Sequence, residues 1–488
     1  MKTKVMLLVV ILSLFLLIPV SIIKSVANDN DIEYGKMAKY LPSNGEMYGW
    51  IKDLWKIGMQ GEYGYRMPGT AADLAGTNYV LNKFQKFGLV NTFLEPVPAT
   101  YSYPDTWKLE VNGNDMPCYF LRYVGFTSPQ GITAPMVYVG RGSDAEFDAV
   151  PGGVAGKIVV VDIYALPTPT SAFLPATLFR YDPDNTLDGD NVMENWPPIN
   201  FNSYDKARDR GAAGYVAILT FTVNDNNQFL HYYFDGSIPG VSVSPVEGAY
   251  LRNLIASGPA EAKLTLTGSN GSGEVYNVYG TIPGKNYGTE ADRFIVVETH
   301  HDGWACNEGS GTSVVLAIAK YFSQFPATTR NYSIVFCALG SHFGKKTAWN
   351  TPPGYYEYRL LQQGKIKCAF PIEMIAKQFK IIDGKYVSTG LASPRGLLMN
   401  ALLPSGPFLI NAASTAMTKY QLDRTSLVHY AHGEALKWMA SGIPFVGHIA
   451  ENAPQFTSAD TPNTVLVETL RPTTAAFVDI IKAVDASF

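Results

Sequence analysis

Beyond residue 290 the apolar positions switch repeatedly between two periods. "RFIVVETH", residues 293–300, is a continuous apolar run of strand length, while "GTSVVLAIAKYFSQF", residues 311–325, repeats apolar residues at helical spacing, with Val314, Ile318, Tyr321 and Phe325 on one side. "NYSIVFCALG" (331–340) and "IKCAFPIEMI" (366–375) return to strand-like runs. Unbroken apolar strands separated by helices require crossover connections, so the pattern predicts an α/β fold with a mainly parallel sheet covered on both faces. Ligands of such sheets bind outside the carboxyl ends of the strands, where His300, Cys337 to Gly340 and Glu373 fall.

Upstream, "EMYGWIKDLWKIG" and "GTAADLAGTNYVLNKFQKFGL" carry apolar residues at helical spacing and predict two amphipathic helices, the second stopped by Gly88. From about residue 121 the texture changes to short β-rich runs, "APMVYVG", "GKIVVVDIYA" and "GYVAILTF", broken by glycine and proline. The expected division is an export segment at 1–27, the first part of the main unit at 28–120, an inserted β-rich unit at 121–275 and the remainder of the main unit at 276–488.

Composition narrows the function classes. The 488 residues suffice for two or three domains, and with 16% charged residues and a net charge of -4 no basic face argues for nucleic acid. Lys2 and Lys4 precede the apolar run "VMLLVVILSLFLLIPVSII", and Ser25 and Ala27 follow as small residues, a pattern that predicts export to the cell surface or beyond. The run approaches the roughly 20 residues that span a bilayer, so it serves either as a cleaved leader or as an uncleaved anchor, the one expected membrane contact. Four cysteines, Cys118, Cys306, Cys337 and Cys368, are too few for a disulfide scaffold; a bridge between Cys337 and Cys368 is one candidate, buried free thiols the other.

Several motifs carry a resemblance. "RMPGT", "GIPF" and "SADTPNT", in that order, with "APMVYVG", "GKIVVVD", "DKARDRGAAGYVAI" and "IPGVSVS" between the first and the others, make the chain similar to the co-catalytic zinc aminopeptidase family. The branch is that of glutamate carboxypeptidase and the transferrin receptor, with an inserted protease-associated domain. The resemblance implies two zinc ions held by His, a bridging Asp, a Glu, an Asp and a second His, with another Glu as general base. Imidazole and carboxylate suit zinc, whose open position carries a water with its pKa lowered to about 7 for the base to deprotonate.

Laid on this sequence, the resemblance matches His300 in "THHDGWACNEGSG" to the first ligand and Asp302 to the carboxylate that orients its ring. Asn307 stands at the bridging Asp, with Glu308 taking that place if the shortened loop shifts the match by one. His342 stands at the general base and Phe343 at the adjacent glutamate ligand, Glu373 replaces the third-strand Asp, and Phe456 replaces the final histidine. A phenyl ring cannot ligate zinc. Cys306, Glu308, His342, His448 and Glu451 belong to loops expected at the same sheet edge, where one of them with His300 and Glu373 would make a mononuclear site; for His342 and His448 the simpler expectation is a hydrogen-bonded loop histidine.

"DPDNTLDGDN" offers Asp182, Asp184, Asp188 and Asp190 as hard oxygen ligands for calcium. Its spacing is not that of an EF-hand, so a polar surface loop is the competing expectation, while the resemblance keeps calcium because some relatives of the transferrin receptor bind it in the inserted domain. Taken together, the residues favour an exported pseudopeptidase that binds a protein or peptide partner or associates with itself. The alternative is an active aminopeptidase or carboxypeptidase with a single-zinc site.

Overall fold

The computed structural model describes residues 36–193, 198–229, 233–234, 236–304, 306–340, 342–345 and 355–488. The export segment lies outside them, and no helix among the described residues is long and apolar enough to cross a membrane.

Both N-terminal helices form where the periodicity places them. Helix α1, Asn44–Met59, is capped by the Ser43 side chain, which accepts from the Glu46 N–H, and α2, Ala71–Lys86, by Thr70, which accepts from the Asp73 N–H. Gly88, at φ +81°, lets the chain turn out of α2 without a Cβ clash.

The strands that follow build one sheet of eleven. In chain order its main members are β1 (Val90–Val111), β2 (Ile132–Tyr138), β3 (Ile158–Ile163), β4 (Gly214–Leu219), β5 (Gly240–Val243), β6 (Glu261–Ile282), β7 (Phe294–His300), β8 (Ser333–Leu339) and β9 (Ile366–Pro371). Across the sheet they run β9-β7-β8-β6-β2-β3-β4-β5. β9, β7 and β8 are parallel, as are β2 to β5, and the antiparallel β6 joins the two sets. β1 and β6 pair from Val90–Thr281 to Val111–Ala262, with register shifts between Val90 and Phe93 and between Pro104 and Thr106, so the ribbon that leads into the middle block also leads out of it, and β6 crosses the expected boundary at 275 unbroken.

Every residue of β7 is buried. Ile295 and Val297 pack with helix α3 (Asn307–Ser323) and the C-terminal helix Leu470–Ser487, while Phe294 and Val296 face the other way, beneath Trp438 and Leu360. This two-sided burial is why the strand reads as an apolar run instead of an alternation. Glu298 and His300 continue the Phe294 face by the two-residue period of a strand.

A smaller sheet of Val446–Ile449, Arg395–Met399, Thr425–His429 and Thr177–Tyr181 takes its last strand from the middle block. The Cys337–Cys368 bridge is not formed: both thiols are free and buried. They sit on β8 and β9, on opposite sides of β7, and two strand spacings of about 4.8 Å exceed a disulfide's Cα reach.

Candidate functional site

β7 delivers His300 to the carboxyl edge of the sheet, where the Thr312 hydroxyl donates to its carbonyl at 2.7 Å. Nδ1 lies 3.2 Å from both the backbone oxygen and Oδ1 of Asp302, whose Oδ2 accepts the Phe343 N–H at 2.8 Å. On the other side of the ring Nε2 is 2.9 Å from Oε2 of Glu308, in the first turn of α3, close enough for charge pairing though misaligned for a hydrogen bond. His300, Asp302 and Glu308 are all buried. Burial favours the neutral imidazole, but the contacts with Asp302 and Glu308 outweigh it and carry the His300 pKa well above its usual value. The side chain of Asn307 lies outside the described residues; Glu308 is the carboxylate that reaches His300 from this turn.

A second pair stands against the first. The ring of His342 stacks on that of His300 at 4.2 Å and 15°, and its Nδ1 lies 2.6 Å from Oε1 of Glu434. The Glu434 N–H donates to Oε1 of Glu373 at 3.3 Å. Gly433, at φ +54°, allows this approach, since a Cβ there would lie 2.2 Å from the same oxygen. Burial, reinforced by Glu434, raises the Glu373 carboxyl well above the ordinary range. Burial acts in the same sense on Glu434, but the charge of His342 and a hydrogen bond from Glu373 hold it well below. Glu373 is thereby pushed toward its neutral form and Glu434 toward its charged form.

Phe343 and Phe456 close the other side. Their rings lie 5.7 Å apart, with Phe343 at 5.4 Å from the His300 ring and 4.7 Å from the His342 ring. Phe456 continues to Phe229 at 5.9 Å, joining the site to an aromatic core that includes Trp304, Phe201, Phe234 and Tyr204. Gly303, at φ +98°, makes room for Phe343, whose ring would lie 2.3 Å from a Cβ. Phe456 itself has φ +63°, a left-handed backbone that bulky residues avoid, held here by its edge-to-face contacts with Phe343 and Phe229.

His301 points away from His300, with Nε2 3.0 Å from the Tyr276 carbonyl oxygen. Beside it Arg66 is fully buried and donates to the carbonyls of His301 at 2.6 Å, Leu54 at 3.0 Å and Trp304 at 3.4 Å. Two residues back along β7, Glu298 lies 2.5 Å from the Lys437 ammonium, which also contacts Glu357 at 2.6 Å beside the Cys337 thiol.

His448 is buried with Nδ1 2.9 Å from the Glu373 carbonyl oxygen, and burial pushes its pKa down to about 4. The folded chain thus keeps His448 neutral where the unfolded chain, near its usual 6.5, takes up a proton. The contribution is present in full above pH 6.5 and is lost as pH falls toward 4, by about 3 kcal/mol at most. The expected result is that His448→Gln flattens the acid limb of the stability profile by that amount, measured by urea unfolding at pH 7 and 4.5.

The acidic run of the middle block does not form a calcium cage. Asp182 accepts the N–H groups of Thr186 and Leu187, Asp188 pairs with Arg180 at 2.8 Å, and Asp190 accepts from Arg424 and Gln378, each at 2.5 Å. Asp184 is exposed. Each engaged carboxylate faces its own donors, and the four are not among the groups of described residues that converge on one point.

Of the residues singled out from sequence, the fold brings His300, Asp302, His342, Phe343, Glu373 and Phe456 to one edge, with Glu308 among them. Glu434 joins them as a side chain with no local signal in the sequence, because its contact with His342 spans 92 residues.

No protein-family model and no curated protein matches the chain. Solved structures do. A zinc aminopeptidase from Bacillus subtilis is 19% identical over 90% of this chain and 95% of its own, with a TM-score of 0.64. A Peptidase M28 precursor from Shewanella amazonensis SB2B is 16% identical over 93% and 97%, with a TM-score of 0.66. An aminopeptidase from Aneurinibacillus sp. strain AM-1 is 16% identical over 91% and 94%, with a TM-score of 0.57. At these identities the likeness establishes a zinc-aminopeptidase-like α/β fold.

Proposed function

We propose that this chain is an exported zinc-peptidase-like protein that works by binding, with dinuclear peptide hydrolysis lost and residues 121–275 serving as a protease-associated domain. The observation that carries the reading is the Phe343–Phe456 contact: where the resemblance calls for a glutamate and a histidine on zinc, two phenyl rings pack at 5.7 Å and run into an aromatic core. A zinc pair does not fit that donor set, because one side of the site offers carbon alone. His342, at the place of the general base, is held to Glu434.

The reading is tested on the exported form with aminoacyl-4-nitroanilides and short peptides in the presence of zinc. The expected turnover equals that of a His300→Ala variant; turnover above it overturns the reading. Light scattering then separates self-association, which multiplies the mass, from a role with a different protein or peptide partner.

A further inference from the structure

We propose that two copies of this chain associate by exchanging residues 168–192, a strap of the middle block, each copy seating its strap on the small sheet of the other. This rests on the binding reading only in that it names what is bound, a second copy of the chain.

The strap belongs to the middle block by sequence but grips the main unit. It leaves and re-enters the block through a narrow neck, where Ala165 bridges Pro198 and Thr168–Pro169 pairs with Asn191–Met193. Beyond the neck its Thr177–Tyr181 strand forms the antiparallel edge of the small sheet, with Tyr181 against Thr425, Arg180 against Ser426 and Phe179 against Leu427. Asp190 accepts from Arg424 and Gln378 and lies 3.3 Å from the Lys380 ammonium, while Arg424 donates to the Thr186 carbonyl at 2.7 Å. Within the strap, Thr170 donates to the carbonyls of Asp190 and Leu187, and Arg180 pairs with Asp188 at 2.8 Å. Its shape is set by its own bonds, so it transfers as a unit.

Three observations favour exchange. Among the described residues of the strap, Leu187 and Asp190 alone are buried, and a segment with so few buried side chains opens well below the free energy of global unfolding. The neck also has room to swing: a cleft of about 430 Å³ separates it from the hairpin of Lys377–Ile382 and Lys385–Ala392, with Ala165, Pro167, Asn191, Ile381 and Ile382 among its walls. The third is apolar surface gathered at the neck, where Leu166 is 55% exposed, Ile199 45% and Ile382 50%.

In an exchanged pair the two necks cross at the two-fold axis, which sets these residues against their counterparts and covers them. Every contact that seats the strap recurs in the pair, so exchange forfeits none of them and gains the cover at the neck. A different protein would have to reproduce both the strand and a carboxylate facing Arg424 and Lys380. A second copy carries both by identity.

The test is a cysteine pair, Arg180→Cys with Ser426→Cys, at positions that face each other across the ladder within disulfide reach. The variant is refolded at high concentration and at high dilution, oxidised and run on a non-reducing gel, with Arg180→Cys alone as background and light scattering of the unsubstituted chain in parallel. Expected at high concentration are a doubled mass and interchain links, giving way to intrachain links at high dilution. Leu166→Asp with Ile199→Asp, both on the surface and outside the strap, should lower the association constant at least roughly tenfold. A monomer at high concentration overturns the proposal, as does a dimer whose links are all intrachain. If the cysteine pair fails to fold, an unsubstituted monomer, or a dimer that the two aspartates leave unchanged, overturns it equally. Turnover in the peptidase assay sinks the binding reading and leaves these readouts untouched.

Discussion

Replacing Arg66 with methionine is expected to destabilise the chain by about 4–5 kcal/mol, enough to remove most of the folded protein at 37 °C. The guanidinium is wholly buried and serves three carbonyls from two separate segments, Leu54 on one side and His301 and Trp304 on the other. Methionine fills the volume but leaves those acceptors without donors and takes away the positive charge that faces Asp302, Glu308 and Asp73. Arg66→Lys should recover only part of the loss, because one ammonium cannot span the same acceptors. Soluble yield and urea unfolding at pH 7 check both variants; an Arg66→Met protein within about 1 kcal/mol of the parent would show that the carbonyls find water instead.

Lys437→Met is expected to cost about 3–5 kcal/mol by a different route. Burial, with Glu357 beside it, already raises the Glu298 carboxyl well above its usual range, and the ammonium is the nearby charge that opposes this. Without it two buried carboxyl groups face each other beside Cys337 and Trp438. The loss should be greatest at high pH, where Glu298 must ionise, and should shrink in acid as Glu298 takes up its proton. Adding Glu298→Gln and Glu357→Gln to Lys437→Met should restore most of the stability, since a neutral set no longer needs the cation. Urea unfolding of the single and triple variants from pH 5 to 9 tests the sign as well as the size.

Much of the scaffold was legible because its signals are local. "FIVVETH" and "TSVVLAIAKYF" differ in period, and burial on both faces of β7 accounts for the first and packing of α3 for the second. The site was legible at His300 and Asp302, which lie two residues apart on one strand end. At the start of α3 the sequence left Asn307 and Glu308 as alternatives, because a shortened loop changes which residue of the first helical turn faces back. Glu434 and Arg66 were not legible in their roles, since each is defined by partners tens to hundreds of residues away. The aspartates of residues 182–190 show the converse. Their run of hard oxygen ligands suggests a cation, but Arg180, Arg424 and Gln378, which engage them, include residues from remote segments that no local pattern reveals.

The paired strands β1 and β6 have a mechanical consequence. They enter and leave the middle block side by side, so the block is an excursion from a line of force that runs from α2 into β7. Tension applied there loads the Val90–Thr281 end of the ribbon first, in the geometry that opens a zipper one rung at a time. Of the middle block's strands, Thr177–Tyr181 shares this load through its pairing with Thr425–Val428, while β3, β4 and β5 lie behind the ribbon.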